Sequence, residues 1–249
     1  QFINTRHKNQ KINYDNVLKE LIKEWSKNSF RPKILIHSCC APCSTYVLEY
    51  LSEFSDITIF FSNSNIHPKE EYIKRMLVQK DFVEEFNRRN DKKIKFLADE
   101  YSPSKFIRAV KGYEDEREGG ERCHICYEMR LDSSAQKALE LGYDYFASAL
   151  TISPKKNAQI INETGYVLQE QVSIYYLPSD FKKNNGYRRS VEMCEDYNIY
   201  RQCYCGCVFA AKDQGIDFKE VNKNAREFNN NHEDYERFKS IIKLGGEIV

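Results

Sequence analysis

Tyr14, Val17, Leu18, Leu21, Ile22 and Trp25 recur at intervals of three and four, which puts them on one stripe and predicts an amphipathic N-terminal helix. The period then changes. Residues 33–37 (KILIH) form a short apolar run, followed by a turn and a helical stretch over 42–54. Residues 56–62 (DITIFFS) read as a second strand, and a long charged helix is predicted from Pro68 to about Arg89, with proline in its first turn. A third strand is expected at 94–98, then helices over 103–111 and about 122–141, and a fourth strand at 143–150. Ser153-Pro154 is read as opening a helix toward Glu163, and a fifth strand is expected at 172–177. Strands that alternate with helices predict an α/β fold, a parallel sheet covered on both faces, with its site beyond the carboxyl ends of the strands. After Leu177 the periodicity loosens, and the tail from Asp217 reads as one or two charged helices. The expected organisation is a single α/β domain over 1–215 and a helical extension over 216–249.

Composition narrows the partners. Of the 249 residues, 38 are Lys or Arg and 37 Asp or Glu, so any contact with nucleic acid must come from local clustering. Lys182, Lys183, Arg188, Arg189 and Arg201 form such a cluster among Tyr187, Tyr197 and Tyr200; the alternative is a solvated face. No run of 18 apolar residues is present, and residues 1–33 lack the apolar core of a secretion signal, so a cytoplasmic setting is expected. The start at Gln1 rather than Met leads us to expect that a piece is missing or was trimmed. In a reducing compartment nine cysteines are not expected to be structural disulfides, and an odd number cannot all pair.

The cysteines fall in groups. Cys39, Cys40 and Cys43 follow directly on the first predicted strand, where a doubly wound fold places its ligand loop. No glycine is there to let backbone amides crowd a phosphate, so thiolates are the available chemistry. Cys123 and Cys126 stand three apart at a helix start, on one face, in a spacing open to zinc, iron–sulfur or a redox dithiol. His124 between them is read as a surface residue. Cys205 and Cys207 flank Gly206, a spacing open to a strained redox disulfide or to a further pair of metal ligands. Cys194 is assigned to the core.

Five segments in order, HSCCAPCS (37–44), RCHICYEMRL (122–131), LTISPKKN (150–157), DFKKNNGYRRS (180–190) and YRQCYCGCV (200–208), resemble the QueH-type epoxyqueuosine reductases. The resemblance implies an adenine-nucleotide-hydrolase-like (HUP-like) fold and an oxidoreductase that removes the epoxide oxygen of epoxyqueuosine at the tRNA wobble position. Two electrons and two protons would leave an alkene and water, without a corrinoid. It further implies a [4Fe-4S] cluster on Cys39, Cys40, Cys123 and Cys126, and a second, mononuclear iron with Asp180 as a ligand. Cys205 and Cys207 match a redox-active pair, and an external electron donor is required. The anticodon loop would lie on Lys182, Lys183, Tyr187, Arg188, Arg189 and Arg201. Two other readings compete: a zinc enzyme of similar fold with non-redox chemistry, and an RNA-binding or redox-sensing module without catalysis.

Overall fold

In the computed structural model, which describes residues 11–244, the run at 33–37 is a strand, Lys33–His37 (β1), and lies at the centre of a five-stranded sheet. Its neighbours are Asp56–Phe61 (β2) and Tyr145–Ser148 (β4), flanked in turn by Lys95–Ala98 (β3) and Tyr175–Tyr176 (β5). The order is β3-β2-β1-β4-β5 and every pairing is parallel. This is the expected α/β architecture and fits a HUP-like arrangement.

Alternation along β1 explains the two layers. Ile34 and Ile36 face one side, where Tyr14–Lys27 (α1) brings Leu18, Ile22 and Trp25. On the same side Ala41–Leu51 (α2) brings Val47 and Leu48, and Lys69–Asn90 (α3) brings Phe82 and Phe86. Leu35 faces the other side, against Leu131 and Ala135 of Glu121–Glu140 (α5) and Ile161 and Leu168 of Ala158–Val172 (α6). A strand buried on both faces reads as a continuous apolar run, which is what KILI is.

Several boundaries differ from expectation. The fourth strand is four residues long instead of eight. Its expected start, Tyr143, is held in the C-terminal turn of α5 by a bond from its N–H to the Ala138 carbonyl (2.9 Å), and its expected end winds into a 3-10 turn, Ala149–Ile152. The helix expected to open at Ser153-Pro154 begins at Ala158, because the Asn157 side chain accepts from the Gln159 N–H and caps it there. That helix continues to Val172, so the fifth strand shrinks to two residues. The loosened stretch contains a helix, Gly186–Asp196 (α7). Its polar surface hides a narrow buried stripe of Ser190, Met193 and Cys194.

Pro103–Ala109 (α4) precedes α5, and Val208–Asp213 (α8) follows the last cysteines. The tail forms two helices, Phe218–Asn230 (α9) and Tyr235–Leu244 (α10). They dock on α3: Asn229 and Tyr235 both donate to the Glu70 carboxylate at 3.0 Å, and Phe238 packs with Phe61 and Met76. Among the described residues no helix is long and apolar enough to cross a membrane.

Candidate metal centre

The sheet order reverses between β1 and β4, and the crevice at such a switch point is where open α/β sheets place ligands. β1 delivers Ser38, Cys39 and Cys40 to that crevice. Cys40 is the extended residue before α2, and Pro42 fits the first turn because it has no N–H to satisfy. The tight turn gathers three thiols: Cys40 and Cys43 sulfurs lie 3.2 Å apart, Cys39 and Cys43 3.4 Å, Cys39 and Cys40 3.6 Å. Cys39, Cys40 and Cys43 are therefore a group able to hold a metal centre. The sequence left Cys43 without a role; its place within the first turn of α2, on the same face as Cys39 and Cys40, is what brings it in.

The other thiols approach from two more elements. Cys123 and Cys126 sit in the first two turns of α5. Cys123 packs against the cluster that contains Cys39 and Cys40, while Cys126 is buried against Cys205 and Cys207. Cys123 also accepts from the Gly119 N–H at 3.2 Å. The segment 203–207 is held by its neighbours: His67 N–H donates to the Gly206 carbonyl (2.8 Å), and Arg75 donates to the Tyr204 carbonyl (3.2 Å). Gly206 has φ +102°, and a Cβ there would come within 2.7 Å of Ile66. All nine cysteines are free thiols in this structure, so the Cys205–Cys207 disulfide allowed by the sequence is not formed here. Cys194 is buried as expected, and His124 is half-buried with its ring 3.3 Å from Glu121.

The electrostatics set these thiols apart. Hydrogen bonds from Cys40 and Cys43, helped by Arg130, hold the Cys39 thiol well below its usual range, while Cys40 is pushed up to about 12. A hydrogen bond from Cys207, with Lys156 nearby, lowers Cys205 to about 6, and Cys207 is raised correspondingly. Burial pushes Cys126 up. The cations behind this are Arg130, buried with its Nε donating to the Cys126 carbonyl, and Lys156, 5.7 Å above the Tyr127 ring. Burial opposes a charge on either side chain; the surrounding thiols and Tyr127 outweigh it and raise both above their usual range. Gln202 donates to the Cys40 sulfur at 2.8 Å, and its own Oε1 is buried without a partner.

Three adjoining cavities run along this edge. The central one, about 160 Å³, is lined by Cys39, Cys43, Cys203, Cys205, Arg130 and Lys156. A second, about 180 Å³, shares Cys43, Lys155 and Gln202 with it and adds Tyr187, Cys194 and Arg201. The third, about 280 Å³, shares Arg130 and includes Cys126 and Asp99. Of the sequence-predicted substrate residues, Tyr187 and Arg201 reach this edge. Arg188 pairs with Glu192 of α7 (2.9 Å), Arg189 with Glu49 of α2 (2.6 Å), and Lys182 with Asp180 (2.9 Å). Lys183 lies in the turn before α7, its N–H donating to the Asp180 carbonyl. Asp180 lines none of the three cavities; the carboxylate in the central one is Glu118. Arg130, Lys155, Lys156 and Gln202 carry no role in the sequence reading, although RCHICYEMRL, LTISPKKN and YRQCYCGCV contain them.

The model of the family described as "Epoxyqueuosine reductase QueH" matches residues 34–213. The chain belongs to the epoxyqueuosine reductase QueH family. It is 62% identical to the epoxyqueuosine reductase QueH of Staphylococcus aureus over 90% of this chain and 94% of that protein. The Streptococcus pyogenes relative of the same name is 61% identical over 88% and 86%, and the Thermotoga maritima relative 33% over 76% and 96%. The stretch matched by the family model spans every element that carries the thiols, from β1 to α8.

Proposed function

We propose that this protein is an epoxyqueuosine reductase acting on tRNA in queuosine biosynthesis, and so in the cytoplasm. The epoxide oxygen leaves as water, its two carbons become an alkene, and two electrons and two protons are consumed. The observation that carries the reading is the gathering of cysteines from β1–α2, α5 and the 203–207 segment around Arg130 and Lys156. Such a donor set fits an iron–sulfur group. The sulfurs are soft ligands, and Arg130 and Lys156, which make no ion pair with a carboxylate among the described residues, offset the negative charge that ligated thiolates bring.

Cys39, Cys40, Cys123 and Cys126 would hold a [4Fe-4S] cluster, with Cys43 within 3.4 Å of the first two. Such a cluster, held by these residues, would supply the electrons for the reduction. Lys156 and Arg130 present N–H donors to the central cavity, where an oxygen gaining negative charge is stabilised in a site of low dielectric. Asp180 is the proposed ligand of a further iron, which requires its pair with Lys182 to open; an Asp180→Asn variant should carry one iron fewer per chain. Cys205 and Cys207 are the proposed redox pair. Cys205, lowered to about 6, is the thiolate of the two at neutral pH.

Anaerobic incubation with tRNA carrying epoxyqueuosine and a reduced viologen should yield queuosine on nucleoside analysis. Iron-loaded protein that gives none refutes the reading. Cys126→Ser should lose iron and colour together, and full iron retention would count against its place in the ligand set. A Cys205→Ser, Cys207→Ser double variant should keep its cluster spectrum and lose multiple turnover. Loss of one iron per chain would instead make the pair ligands of the second site.

A further inference from the structure

Gln202 has no part in the chemistry described above, yet its side chain crosses the carboxyl edge of the sheet to Cys40, 162 residues away in the chain. The amide Nε2 donates to the Cys40 sulfur at 2.8 Å, and Gln202 lines both the central cavity and the one that shares Cys43 with it. The backbone that carries this amide is fixed on both sides. Two residues earlier, the Tyr200 hydroxyl donates to the Glu71 carboxylate at 3.1 Å. Two residues later, the Tyr204 carbonyl accepts from Arg75 at 3.2 Å. Glu71 and Arg75 are one buried ion pair, 2.7 Å apart with both side chains 1% exposed. Residue 202 is thus held from either side by the same pair, and its amide is carried to one place.

The contact with sulfur explains why the residue is a glutamine. Its Oε1 is buried with no partner among the described residues, so the bond to Cys40 is what orients the amide. An aliphatic side chain would fill the space without burying an unpaired oxygen, and packing alone therefore favours one. A neutral N–H aimed at a thiolate has a use of its own. Hydrogen bonds to the sulfurs are among the levers that set the potential of an iron–sulfur group, because a donor offsets part of the negative charge that reduction adds. Gly119 makes the same kind of contact from its backbone, donating its N–H to the Cys123 sulfur at 3.2 Å. No side-chain substitution removes that donor, whereas the donor on Cys40 is a side chain.

We propose that Gln202 is a positioning residue for the electron-transfer step: its amide, fixed on the Cys40 sulfur, raises the reduction potential of the cluster that Cys40 helps to hold. The proposal rests on the reductase reading and on Cys40 as a ligand. The step is the uptake of one electron from the external donor, which is oxidised. No bond forms or breaks at Gln202, and its N–H keeps its proton.

The test is a redox titration of iron-loaded protein under anaerobic conditions, with dithionite and viologen mediators, followed by the absorption of the cluster. Gln202→Leu should keep the wild-type iron content and titrate at a lower potential. At the wild-type midpoint its ratio of reduced to oxidised cluster should fall roughly tenfold, about 59 mV for a one-electron couple. Gln202→Lys, which keeps N–H donors, should return the midpoint to the wild-type value or above it. Identical midpoints for Gln202→Leu and wild type overturn the proposal, and so does a Gln202→Lys midpoint as low as that of Gln202→Leu. Iron loss in both variants would make the residue a brace for the 203–207 segment and overturns the proposal too. Wild-type protein without a reducible cluster overturns the reductase reading itself.

Discussion

At the residue scale, the site depends on which side chains are charged inside the fold. His37 ends β1 fully buried, hydrogen-bonded through Nδ1 to Ser148 (3.3 Å) and through Nε2 to the Ser62 carbonyl (3.1 Å). Burial, aided by Arg130, lowers its pKa to about 4. The unfolded chain takes up this proton near pH 6.5, the folded chain only near 4. Stability from a neutral His37 is therefore complete above pH 6.5 and is lost as the pH falls toward 4. Each unit of that interval corresponds to about 1.4 kcal/mol. Metal-free protein should lose about 2 kcal/mol between pH 7 and pH 5 by urea unfolding, and a His37→Gln variant should lose distinctly less over the same interval. Parallel losses in the two proteins would mean that other groups govern the acid limb.

At the element scale, the turns matter more than the helices they join. The turn from β1 into α2 closes three sulfurs into one group, and the segment 203–207 is pinned across the edge by α3 and the loop before it. Arg75, paired with Glu71 at 2.7 Å with both side chains 1% exposed, is the anchor, since its second bond goes to the Tyr204 carbonyl. Breaking a buried pair of this kind leaves an uncompensated charge, so the anchor is rigid. Gly206 lies against it, with φ +102° and Arg75 Nη1 3.1 Å from where a Cβ would stand. A Gly206→Ala change places a side chain in a left-handed backbone region and against Ile66 as well. It should cost about 1–3 kcal/mol and displace Cys205 from the central cavity and Cys207 from its packing against Cys126. The expected outcome is normal iron content with reduced turnover; turnover equal to wild type would show that the pair need not be held there.

At the scale of the whole molecule, net charge near zero hides an uneven edge. Lys155 and Arg201 line the cavity beside Tyr187, whereas Arg188 and Arg189, on α7, are already paired to Glu192 and to Glu49 of α2. For RNA whose unstacked bases lie on aromatic rings while cations meet phosphates, the cavity-facing pair is the better placed. Lys155→Glu with Arg201→Glu should weaken tRNA binding and flatten its dependence on salt by roughly 1 to 1.5 in logarithmic slope. The Arg188→Glu, Arg189→Glu pair should do so by less. A larger effect from the α7 pair would move the RNA path onto that helix.

The sequence by itself determined the parallel α/β layers, because β1 and β2 read as apolar runs and α1 as a 3.6-residue stripe, and these periods are local. It also placed the cysteines at a strand end and a helix start, and the order of five motifs indicated the family that the comparisons then showed. Only the tertiary structure decided what meets what. The 3-10 turn at Ala149–Ile152 and the cap at Asn157 shift the start of α6, α7 hides a narrow buried stripe in a polar stretch, and Asp180 is tied to Lys182 while Glu118 lines the cavity. Cys43, Arg130 and Lys156 acquire their significance from contacts across the carboxyl edge of the sheet, between residues far apart in the chain, and spacing along the chain carries no information about such contacts.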